Sequence, residues 1–299
     1  MIPLFDLHCD TLLELFKQGD DSSLSHLHIS NEKSKCFSPY IQVTAIWADN
    51  RLTDDLAYDE ICKCLEHARH IGIKFCLCHS LSSRCFILGI EDARVLNSDI
   101  NRLYSLYNKG LRVLTLNWRG QSCIGGGWDT DSPLTDFGRE IVKECARLGI
   151  IIDLSHSSEK VQDEVFQMSV ELGIAPIYSH SNSYTVCTHK RNISDEHFTM
   201  AVRCNGLVGI NLCPKFLEND GSADIYSVLN HIDHFLFLGG ESTLALGCDF
   251  DGTSSLPAGI SDISDLPRLY EIIAKKYGDR FANDIFFYNA FNFWSKNSK

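Results

Sequence analysis

Eight short apolar runs, separated by stretches of helical periodicity, constrain the fold of this chain more than any other feature. The runs are Ile2–His8, Ile41–Ala48, Cys85–Glu91, Val113–Asn117, Ile150–His156, Pro176–His180, Leu207–Cys213 and Thr243–Asp249. They are hydrophobic nearly throughout rather than alternating, the pattern of strands covered on both faces. Between them, Phe137, Ile141, Cys145 and Leu148 recur at helical spacing with Gly149 as the C-cap. Val161, Val165, Met168 and Leu172 do the same, with Ser157 or Ser158 as N-cap and Gly173 beyond; Ser194 before Asp195 and Glu196 marks another helix start. Repeated strand–helix units predict a parallel sheet. At 299 residues the chain is long enough for one barrel with insertions, so the expected fold is α/β, a (β/α)8 TIM barrel, as a single domain over residues 1–299. The alternative, an open doubly wound sheet, usually carries a glycine-rich phosphate loop after its first strand. Here that strand ends in His8-Cys9-Asp10, and Gly125-Gly126-Gly127 comes too late and reads as a flexible loop.

A barrel gathers its strand C-termini around one mouth, where sites of this fold sit. The residues that end the runs are His8 and Asp10, then Glu91, His156, His180 and Asp249. Each has a bland reading: Asp10 as a helix cap, Glu91 as a partner of Arg94, a histidine as a satisfied core residue. Together, three imidazoles and three carboxylates exceed the needs of one ion and suit two metals sharing a bridging carboxylate. The nitrogen and oxygen donors favour Zn²⁺, and Mn²⁺, Co²⁺ or Fe²⁺ fit the same set. The remaining histidines lie away from strand ends, and His67 and His70 read as solvated residues at a helix C-terminus.

The formal charge of −12 disfavours nucleic acid and anionic membranes as partners. No run approaches the ~20 apolar residues of a membrane span, and the first residues lack the pattern of a secretion signal. The last residues are polar and carry no lipid-anchor signal. The expected location is cytoplasmic, with the 13 cysteines as free thiols. The Cys62/Cys64 and Cys76/Cys78 pairs read as buried or half-buried thiols rather than zinc ligands.

These residues occur in Asp6-Leu-His-Cys-Asp10, Gly89-Ile-Glu91, Ile152-Asp-Leu-Ser-His156 and Gly247-Cys-Asp-Phe-Asp-Gly252, with a long segment from Ser179 to Asn192 that begins Ser-His-Ser-Asn-Ser. In these motifs, which span the chain, the sequence resembles the renal (membrane) dipeptidase family of the amidohydrolase superfamily. The resemblance implies a binuclear zinc dipeptidase acting through a metal-bridging hydroxide on small dipeptides, including those with a C-terminal D-residue. It implies His8 and Asp10 on one metal, His156 and His180 on the other, and Glu91 bridging. It further implies that Arg191 holds the substrate carboxylate, that Asp249 handles the proton beside the hydroxide, and that the chain forms a homodimer. One departure stands out. Where the mammalian enzymes place a histidine after the fourth strand, this chain has Asn117, able to donate a hydrogen bond to an oxyanion but unable to become cationic. A lactonase or amidase of the same superfamily, acting on a small carboxylated substrate, is the alternative. A non-catalytic barrel is disfavoured by the complete set of rim residues.

Overall fold

Each apolar run does form a strand. The computed structural model describes residues 1–19, 26–75 and 84–298, so His79 and the Cys76/Cys78 pair lie outside the described residues. The strands are β1 (Ile2–Cys9), β2 (Phe37–Trp47), β3 (Arg84–Glu91), β4 (Leu111–Thr115), β5 (Ile151–Asp153), β6 (Ile177–Tyr178), β7 (Leu207–Ile210) and β8 (Leu244–Leu246). They pair in parallel and in sequence order, and β1 pairs with β8 to close the barrel. Helices surround it, and the expected caps are present. Ser158 accepts a hydrogen bond from the Val161 N–H (3.2 Å) and Ser194 from that of His197 (3.1 Å), while Gly149 and Gly173 close their helices in the left-handed conformation. Among the described residues no helix is long and apolar enough to cross a membrane.

Period-two geometry divides the core in two and places the site. Outward-facing residues such as Leu4, Leu88, Leu114, Ile152 and Val208 pack under the helices. A separate cluster fills the barrel: Phe5, Leu7, Ile41, Val43, Cys85 and Ile87, with Val113, Ile151, Ile177, Leu207 and Ala245. The C-terminal residues Phe287, Phe293 and Trp294 plug its lower end, with the Trp294 ring 6.0 Å from that of Phe5. Stepping by two along each strand from these apolar positions towards the upper rim leads to Glu91, Thr115, Asn117, Asp153, Ser179, Asn211 and Asp249. The interior thus changes from apolar to polar along the barrel axis.

Two expectations need correction. The Gly125–Gly127 run is not a loose loop: the three residues are buried, and a Cβ on Gly127 would lie 2.4 Å from the Arg119 Cα. Glycine serves close backbone approach here. Through Gly126 O, which accepts from the Ser158 N–H at 2.9 Å, the run braces the turn that carries His156. Ten of the described cysteines are free thiols, but Cys85 is disulfide-bonded. Cys64 is buried and Cys62 half-buried, as expected.

Candidate active site

The strand ends do converge, though several site residues lie just past the last strand pairing. β1 slips register between Asp6 and Cys9, and a bulge of this kind re-aims a side chain. Leu7 faces the apolar interior, and the slip brings the next residue, His8, into the mouth. Asp10 is not on the strand; it occupies the N-cap position of the helix Thr11–Gln18, with φ −103° and ψ 10°. The pair still converges, His8 Nε2 lying 3.4 Å from Asp10 Oδ2. His156 and Asp249 each sit three residues beyond their strand at positive φ, 68° and 61°. Non-glycine residues rarely adopt this conformation, and those that do cluster at functional sites. The Asp249 turn is tied to β1: Asp249 N–H donates to His8 O (3.2 Å), Asp10 N–H to Phe250 O (2.9 Å) and Cys248 N–H to Asp6 Oδ1 (2.9 Å).

Glu91 stands at the centre. Its Oε1 is 2.9 Å from His156 Nε2 and 3.7 Å from His180 Nε2, while its Oε2 is 3.5 Å from His8 Nε2. Two groups result, one of Glu91, His156 and His180, the other of His8, Asp10 and Asp249. All six residues are buried or nearly so. The His156 and His180 Nε2 atoms lie 2.9 Å apart. His8 Nε2 has no hydrogen-bond partner among the described residues. Unpartnered buried donors and acceptors of this kind are costly unless a cation joins them, so the residues present fit divalent ions.

The electrostatics agree. Burial, followed by the Arg191 charge, lowers His156 to about 4, and burial with His8 and Arg191 holds His180 well below its ordinary range. Both imidazoles are therefore neutral at pH 7 and free to ligate. His8 behaves oppositely: burial works against a charge there, but Glu91 and Asp10 outweigh it and raise the group well above normal. The surroundings of His8 favour a positive charge, which a metal ion can supply in place of the proton. Glu91 stays ionised because His8 and then His156 outweigh its burial.

A third group of potential ligands, His8, Asp153 and His180, is already filled. The Ser179 hydroxyl donates to Asp153 Oδ2 (2.6 Å) and lies 2.7 Å from His180 Nδ1 and 3.4 Å from His8 Nδ1.

A cavity of about 390 Å³ opens above these residues, lined by Asp10, Glu91, His156, His180, Arg191 and Asp249, with walls of Trp47, Trp118 and Phe216. Arg191 is 5% exposed and lies over the Phe216 ring at 5.4 Å. It donates to His180 O at 3.3 Å, its Nε is unpartnered, and it forms no ion pair among the described residues. Asp249 Oδ2 accepts from Asn211 Nδ2 at 3.1 Å. Burial raises its carboxyl to about 7; Asp10 and Glu91 push the same way, and His8 and Asn211 oppose them. Asn117 is not among the cavity-lining residues. It is buried beneath them with its side chain 3.4 Å from the hydroxyls of Ser122 and Ser157, and its neighbour Trp118 lines the mouth, stacked on the His156 ring at 6.0 Å. Arg94 pairs with Asp92 and Asp54 instead of Glu91.

The sequence profile of the membrane dipeptidase family (peptidase family M19) matches residues 1–299. The chain belongs to this family. It is thus a metallo-dipeptidase, and similar solved structures agree. One is dipeptidase AC, a metallo peptidase of family M19, with TM-score 0.90, 27% identity and 99% of each chain covered. Another is a metallo peptidase from Rhodobacter sphaeroides liganded with a phosphinate mimic of the dipeptide L-Ala-D-Ala, with TM-score 0.91, 26% identity and 99% of each chain covered. An amidohydrolase from Pseudomonas aeruginosa, TM-score 0.78 and 20% identical over 98% of this chain and 95% of its own, shares the fold. In this dipeptidase-family chain, Asn211, Trp118 and the Ser179–Asp153 pair escape a reading by ligand type alone. The signal that finds Asn211, Asp153 and Ser179 is positional: each lies two or four residues beyond an interior apolar residue.

Proposed function

We propose that this metallo-dipeptidase cleaves dipeptides at a site for two divalent ions, zinc first among them, with Glu91 shared between the two. The split of the Glu91 oxygens, one towards His156 and His180 and the other towards His8, is the observation that carries the reading. His8 and Asp10 would hold one ion, and His156 and His180 the other. The chemistry such a pair supplies when bound is activation of water for attack on a peptide carbonyl.

The chain's own residues supply the rest. Arg191, buried and without a carboxylate partner among the described residues, receives the substrate's C-terminal carboxylate in a charge-assisted pair over the Phe216 ring. An anchor so close to the scissile bond favours substrates that end one residue beyond it. Asp249, buried beside the His8 and Asp10 ligand group, accepts the proton of the attacking water and returns it to the leaving amine. Asn211 holds that carboxylate in place. The cavity, at the small end of ligand sites, suits a dipeptide. The L-Ala-D-Ala mimic in the Rhodobacter sphaeroides relative supports including substrates with a C-terminal D-residue. Metal content by elemental analysis, measured beside hydrolysis of an L,L and L,D dipeptide panel, tests the proposal. Two equivalents of metal and metal-dependent cleavage of free dipeptides are expected; a metal-free chain inactive after Zn²⁺ addition overturns it.

A further inference from the structure

Beneath the two candidate ligand groups lies a fully buried hydrogen-bond centre. Asp153 and Ser179 are both 0% exposed. Asp153 Oδ1 accepts from the Ser155 N–H (2.9 Å) and the Ser179 N–H (2.8 Å), and its Oδ2 accepts from the Thr115 hydroxyl (2.6 Å) and the Ser179 hydroxyl (2.6 Å). With four donors the carboxylate is saturated, and it fixes where the Ser179 proton points. The lone pairs of the Ser179 hydroxyl face His180 Nδ1 at 2.7 Å and His8 Nδ1 at 3.4 Å. The Ser155 hydroxyl, its other polar neighbour at 3.4 Å, already accepts from the His180 N–H. The His8 and His180 rings lie face to face, 3.8 Å apart and 35° from parallel, so both present Nδ1 to one oxygen. Their Nε2 atoms point into separate ligand groups.

We infer that Ser179, oriented by Asp153, is a positioning residue that sets the tautomer of one imidazole in each metal group. Because its single proton is committed to Asp153, Ser179 can only accept from the histidines. His180, and more weakly His8, must then carry hydrogen on Nδ1 and leave the Nε2 lone pair for a metal. One hydroxyl therefore prepares both halves of the site. An outer hydrogen bond that fixes a ligating histidine typically governs metal affinity by 10–100-fold.

The inference rests on the two-metal reading, and the test separates them. Metal content and affinity, by elemental analysis and chelator competition with Zn²⁺, are measured for the parent, Ser179→Ala, Ser179→Thr and Asp153→Asn, with the melting temperature of each metal-free form. In Asp153→Asn the amide donates where the carboxylate accepted, so the Ser179 proton turns towards His180 Nδ1 and the Nε2 lone pair is lost. Ser179→Ala and Asp153→Asn should bind the weaker of two zinc ions about 10–100-fold less tightly. Ser179→Thr, which keeps the hydroxyl, should restore parent affinity. If Asp153→Asn does not fold, the Ser179→Ala and Ser179→Thr pair decides alone. A parent that binds two metals beside a Ser179→Ala variant with unchanged affinity overturns the inference only. A parent that binds fewer than two overturns the two-metal reading and the inference with it. A lower melting temperature with unchanged metal affinity assigns Ser179 a structural role and also overturns the inference.

Discussion

His156 and His180 meet nitrogen to nitrogen, their Nε2 atoms 2.9 Å apart in a buried site where both rings are neutral. Glu91 Oε1 lies 2.9 Å from His156 Nε2 and 3.7 Å from His180 Nε2, so three donor atoms converge where a cation would bind.

Metal should therefore stabilise the fold as well as activate it. A ligand at 100 times its Kd adds about 2.7 kcal/mol of stability, which for a domain of this size is a rise in Tm on the order of 5 °C. Thermal melts after chelator dialysis, with and without added Zn²⁺, measure it. A Tm indifferent to zinc across a wide excess would sink the metal assignment.

Arg191→Ala should raise KM by about 100-fold, roughly 3 kcal/mol of lost charge pairing, and erode the preference for free C-termini. The metal-free variant should melt no lower than the parent, because Arg191 is a buried charge without an ion-pair partner among the described residues. Steady-state kinetics and melts give the two readouts. An unchanged preference for free carboxylates removes Arg191 from substrate binding.

Asp249→Asn keeps the shape of the side chain but cannot take up a proton. A kcat loss of about 10²–10⁴-fold is expected, with both metals retained by elemental analysis. Near-normal turnover in a fully loaded variant would exclude Asp249 as the proton carrier.

Gly252→Ala places a methyl group 2.2 Å from Asp10 Oδ2 and 2.4 Å from Asp249 Oδ1. Overpacking of this kind costs about 1–3 kcal/mol, and here it displaces two site carboxylates at once. Activity and metal affinity should fall together. Retention of both at parent level contradicts the close packing of this turn.

His231 should contribute a pH dependence of stability away from the site. It is fully buried, accepts from the Ser183 N–H at Nδ1 (3.1 Å) and donates from Nε2 to Leu217 O (3.0 Å), an arrangement that needs the neutral ring. Burial lowers the group to about 4 in the folded state, against ~6.5 when unfolded. Between these values the unfolded chain binds the extra proton, so the contribution is complete above pH ~6.5 and is lost as pH falls towards 4. The full loss is about 3 kcal/mol. Denaturant titrations at pH 5 and pH 7 should show a smaller pH difference in His231→Gln than in the parent; equal differences would refute the assignment.

Much of this was legible in the chain itself. Eight apolar runs set eight strands because burial on both faces demands continuous hydrophobicity, and the donor residues at their ends were visible as a set. The details were less accessible. His8 and Asp10 converge through a register slip and a helix N-cap rather than by strand alternation, since no residue type encodes a bulge unambiguously. Glu91 gave no sign that Arg94 would turn to Asp92 and Asp54 instead. The departure at Asn117 looked like a change in the substrate site, yet Trp118 is the residue that lines the mouth.

The barrel and the kinds of side chain at its rim follow from the sequence, because hydrophobic periodicity and residue chemistry are local properties written along the chain. Only the tertiary structure decided which nitrogen of each histidine faces the mouth, that Glu91 divides its oxygens between two groups, and that Ser179 and Asp153 stand beneath both. Those relationships are set by side chains brought together from strands up to 241 residues apart (His8 and Asp249), and by left-handed turns at His156 and Asp249 that the surrounding packing imposes.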